Sequence, residues 1–101
     1  MNSKQKKQIA RALDVMATRT IAFTWEANYT AAHDAKTSDL GGLKPGSRQD
    51  SDPPNHYWVG MFKSSSKKTT PPPLIEASFQ EVPDTATAVA GLRAALEVSR
   101  I

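Results

Sequence analysis

His56-Tyr57-Trp58-Val59-Gly60-Met61-Phe62-Lys63 is the one stretch of this 101-residue chain in which both alternating faces are apolar or aromatic. Read as a strand, it sends Tyr57, Val59 and Met61 to one side and His56, Trp58, Gly60 and Phe62 to the other. A strand of this kind needs cover on both faces, which places it in the middle of a small sheet. One face then belongs to the core, and the other is the surface to suspect of function.

Working outward, residues 18–28 also repeat with period two. Ile21, Phe23, Trp25 and Ala27 alternate with Thr20, Thr24, Glu26 and Asn28, which predicts a half-buried strand. Residues 74–82 predict another, with Ile75, Ala77 and Phe79 opposed to Glu76, Ser78 and Gln80, and Pro83 ending it. Between the first two strands, residues 31–55 show no period. They carry Gly41-Gly42, Pro45-Gly46 and Pro53-Pro54 among four aspartates, Asp34, Asp39, Asp50 and Asp52. So long a connection, against a usual length of about 4–6 residues, predicts an irregular, mobile or working loop. Residues 64–73 predict a second, flexible Ser/Lys/Pro loop, with Lys67-Lys68 at its tip and Pro71-Pro72-Pro73 stiffening its exit.

Helices flank the strands. Ser3 is placed to cap a helix over 4–17, on which Ile9, Ala12, Leu13 and Met16 form one apolar stripe. Lys4, Lys6 and Lys7 near its start oppose the helix dipole, a local rule broken without evident compensation. Asp84 or Thr85 caps a second helix running to about Ser99, with Val89, Leu92, Ala95 and Leu96 inward. Gly91 inside it costs about 1 kcal/mol relative to Ala, which predicts a close approach of helix to sheet there. The expected fold is a single α+β domain over 1–101, ordered α-β-β-β-α. It has a three-stranded antiparallel sheet and both helices packed on one face.

Composition narrows the chemistry. The chain has no cysteine, which removes disulfides, thiolate nucleophiles and Cys-ligated zinc. No apolar run approaches the roughly 18 residues of a membrane span, and MNSKQKK has no apolar segment behind its charges; a cytoplasmic protein is expected. Without a secretion signal, Asn28-Tyr29-Thr30 reads as a chance glycosylation sequon. The four aspartates lack the spacing of a calcium loop, so no metal is expected. His33-Asp34 are sequence neighbours that do not face each other as a dyad, and no nucleophile-elbow, zinc, phosphate-loop or dinucleotide motif occurs. The chain reads as a non-enzyme without a cofactor.

Function is then expected at the sheet face away from the helices. Trp58 and Phe62 there lie in phase with Thr24, Glu26, Glu76 and Ser78, an aromatic patch that predicts self-association first, as a dimer, with cover by the 31–55 loop or by a bound partner as the alternatives. The same face, with His56 beside it and Arg48, Lys67 or Lys68 to hold a phosphate, suits a protein partner or a small signalling nucleotide. The alternative is nucleic acid, bound through the basic patch Lys4, Lys6, Lys7 and Arg11 together with the Lys67-Lys68 loop.

The order helix, three strands, helix resembles the double-stranded RNA-binding domain in topology. That family begins its last helix with lysines and alanines, where this chain has Asp84-Thr85-Ala86-Thr87-Ala88, so the resemblance does not extend to phosphate-bridging residues. The polar strand followed by a Thr-capped Ala/Val/Leu helix is also similar to small accessory proteins of phages and mobile elements. That resemblance implies a possible inhibitor of a host defence component.

Overall fold

The computed structural model describes residues 2–19, 23, 40–50, 56–63 and 72–99. They form α1 (Ser3–Arg19), β1 (Leu43–Asp50), β2 (His56–Lys63), β3 (Ile75–Phe79) and α2 (Thr85–Val98), the α-β-β-β-α order expected. The sheet is antiparallel with β2 in the middle, in the order β1-β2-β3.

The strand on the far side of β2 is a correction. β1 falls inside the stretch 31–55 expected to be irregular, and the strand predicted over 18–28 is not the one that pairs with β2. Residues 20–22 and 24–39 lie outside the described residues; Thr18 and Arg19 belong to α1, and Phe23 is buried in the core. The alternation was present in 43–50 but disguised. Leu43, Pro45 and Ser47 are buried on the core side, while Lys44 and Arg48 face the other way. Pro45 has no N–H for a ladder, which suits an edge rather than a central strand. Gly41 and Gly42 turn the chain into β1 with φ of 66° and 87°, a conformation that glycine adopts without a steric penalty.

Both helices lie on one side of the sheet. The stripe Ile9, Ala12, Leu13 and Met16 is buried as expected, and it joins Val89, Leu92 and Leu96 of α2. Beneath them lie Leu43, Val59, Met61 and Ile75, with Ala77 and Phe79 packed at the margin. The side chain that caps α1 is Asn2, whose Oδ1 accepts from the Gln5 amide at 2.8 Å, and not Ser3, which already lies in the helix. Asp84 caps α2 by accepting from the Thr87 amide at 2.7 Å. The helices run antiparallel, because Arg93 of α2 pairs with Asp14 at 2.6 Å while Lys6 Nζ donates to the Ser99 carbonyl at 3.3 Å. Among the described residues no helix is long and apolar enough to cross a membrane.

Candidate binding surfaces

Register decides what meets on the sheet face away from the helices. Arg48 of β1, Trp58 of β2 and Ser78 of β3 lie in one row, and Lys44 is opposite Phe62. His56, two residues before Trp58, shares its side of the strand. The Arg48 guanidinium carbon sits 5.4 Å from the Trp58 ring centroid, within the reach of a cation–π contact. The His56 ring is 5.1 Å from the Trp58 ring and tilted by 55°, a favourable aromatic geometry. Three of the residues singled out from sequence are thereby gathered into one cluster, and all three are half-buried.

Phe62 is the exception. It is only 4% exposed within the single chain, and Gly46 and Gly60 on the same face are buried too. The wide aromatic patch expected to drive dimerisation is therefore not open to water. Burial of the Phe62 ring within the single chain leaves a narrower aromatic area on this face than the sequence pattern suggests. Among the described residues, the Arg48–His56–Trp58 end of the face stays half-exposed, beside exposed Glu76 and Ser78. Lys67 and Lys68 lie outside the described residues, as do Trp25, His33, Asp34 and the 64–71 loop tip.

The basic patch of the first helix divides. Lys6 turns to the Ser99 carbonyl. Lys4, Lys7 and Arg11 instead border a cavity of about 400 Å³ between α1 and the turn at Leu40–Gly41. An adjoining cavity of about 470 Å³ shares Lys4, Gln8 and Gly41 and reaches Gly42 and Lys63. The glycine pair and Lys63 were legible in the sequence only as a breaker and a strand end. Their place against α1 follows from the turn into β1, which period-two reasoning had missed. Among the described residues, no group of three or more His, Asp or Glu side chains is placed to hold a metal ion. Comparison with protein-family models, curated proteins and solved structures finds no match for this chain.

Proposed function

We infer that the protein is a non-enzymatic binding module that engages a partner protein through the Arg48–His56–Trp58 end of its sheet. The observation behind this reading is the cross-strand cluster itself, with the guanidinium at 5.4 Å and the imidazole at 5.1 Å from the indole. Trp and Arg are the side chains that most often anchor protein interfaces, because they combine large contact area with directional polar groups. Here they are held against one another before any partner arrives, which reduces the rotamer freedom lost on binding. The inhibitory role expected from sequence style would be exercised through the same small surface.

The test is affinity capture with the full chain and a Trp58→Ala variant, using exposed Glu81→Ala as a control. A stoichiometric partner retained by the wild type and the control but reduced about tenfold or more by Trp58→Ala supports the reading, a difference of about 1.4 kcal/mol. An identical set of captured proteins for all three forms would falsify it. Trp58→Ala must keep the wild-type circular dichroism spectrum for the comparison to stand; if it does not, Arg48→Ala replaces it.

A further inference from the structure

Among the described residues, the fold gives some cations a hydrogen-bond or ion-pair partner and leaves others without one. Arg93 is paired with Asp14, and Lys6 donates to a carbonyl. Lys4, Lys7, Arg11 and Lys63 have no hydrogen-bond or ion-pair partner among the described residues. Three of these four share one helix face, since positions 4, 7 and 11 are spaced three and four apart. They run about 10 Å along α1, at about 1.5 Å per residue. No carboxylate lines either cavity among the described residues, and the first turn of α1 contains no acid. The amino-terminal end of the helix dipole adds to the same positive potential. Folded surfaces usually intersperse charges of both signs, so an unopposed row around a concavity is a feature to be explained.

The concavity has the shape to use that charge. Its floor is Ala12, Val15 and Leu40, while Lys4, Lys7 and Arg11 form the rim. A volume of about 400 Å³ falls within the roughly 300–1,000 Å³ of small-molecule sites. Gly41 forms part of the wall and Gly42 lines the adjoining cavity, and a Cβ built on either would meet nothing within 4 Å. A flat apolar group fits the floor while an attached anion meets the rim. The floor offers room for one such group, not for the row of anchors that an amphipathic helix presents.

We propose that this cleft between α1 and the Gly41-Gly42 turn binds a nucleotide phosphate. The phosphoryl group is held by Lys4, Lys7 and Arg11, and the base lies on Ala12, Val15 and Leu40. Lys63 at the far lobe extends the contact to a second phosphate. The ligand is either a free nucleotide or one unit of a single strand, which share this chemistry.

The experiment uses the full chain with two probes, ATP by calorimetry and a short fluorescein-labelled oligothymidylate by anisotropy. At low salt at least one binds, and oligomer affinity falls with salt at a log–log slope of roughly −0.7 to −1.4, as one or two neutralised phosphates of a single strand require. Lys7→Gln with Arg11→Gln, both exposed positions, weakens binding about tenfold or more. Lys6→Gln with Arg93→Gln removes the same net charge away from the cleft and changes binding less than about twofold. ATP that binds and displaces the oligomer identifies a free nucleotide; binding of the oligomer alone identifies a strand. The proposal is overturned if neither probe binds at low salt, or if the control pair loses as much affinity as the cleft pair. It is also overturned if polyglutamate competes as well as the oligomer, which would point to a carboxylate-bearing protein. Trp58→Ala leaves these affinities unchanged, which keeps this outcome separate from that of the sheet surface.

Discussion

Ser47 illustrates how a single residue can work against the fold that contains it. It stands in register with Val59 and Ala77 on the helix side of the sheet and is 0% exposed. Its Oγ has no hydrogen-bond partner. A buried hydroxyl without a partner carries a desolvation cost of about 1–3 kcal/mol with nothing to offset it. Ser47→Ala removes that group at almost constant volume and is expected to raise stability by about 1 kcal/mol, read as a higher urea midpoint at unchanged slope. A lower midpoint would show that the hydroxyl is satisfied in solution. The indole Nε1 of Trp58 is also buried without a partner. Together with Arg48 Nε, three buried polar atoms without a hydrogen bond in adjoining rows of one small sheet mark β1–β2 as a part of the molecule not arranged for stability alone.

At the scale of the element, the helix starts were legible to within a residue, because caps act within four residues. Of the two caps expected for α2, Asp84 and Thr85, it is Asp84 whose carboxylate accepts from the Thr87 amide. The Thr87 backbone and then side-chain hydrogen bonds hold the Asp84 carboxyl below its usual value. Because the folded pKa is the lower one, this stabilisation is fully present above the unfolded pKa of about 3.9. It is lost as pH falls through the folded value. Asp84→Asn keeps an acceptor at the cap and is expected to flatten the decline in melting temperature between about pH 5 and pH 2. Melting curves of the two proteins across that range check this, and parallel declines would reject it. The cap of α1 was displaced by one residue, to Asn2, since Asn and Ser cap about equally well and sequence alone does not choose between neighbours. β1 was the larger miss. Its Pro45-Gly46 pair is a breaker by local rules, yet it is accommodated at the sheet edge, where Gly46 pairs with Gly60 and Pro45 with Met61.

For the molecule as a whole, the layers come close where α2 crosses β3. A Cβ added at Gly91 would lie 2.6 Å from Phe79 Cζ and 3.3 Å from Ala77 Cβ, the close approach that a glycine inside this helix predicts. Gly91→Ala gains about 1 kcal/mol of helix propensity, but the overpacking costs typically 1–3 kcal/mol. A net loss of up to about 2 kcal/mol is expected, and it should shrink in the Phe79→Leu background, where the ring is gone. A double-mutant cycle by urea denaturation measures this, and additive effects would place the strain elsewhere. The residues themselves determined the two helices, their buried stripes, the central strand and which of its faces belongs to the core, because burial at period 3.6 or 2 and capping are written locally. Only tertiary structure decided that 43–50 pairs with β2, since strand pairing joins segments distant in sequence and depends on context more than on propensity. The same pairing brought Arg48 onto Trp58 and set Gly41 and Gly42 against α1. It was the packing of the helices that paired Arg93 with Asp14, turned Lys6 to the Ser99 carbonyl and left Lys4, Lys7 and Arg11 facing a cavity. Which charges stay free is a property of the assembled surface, and no window of sequence contains it.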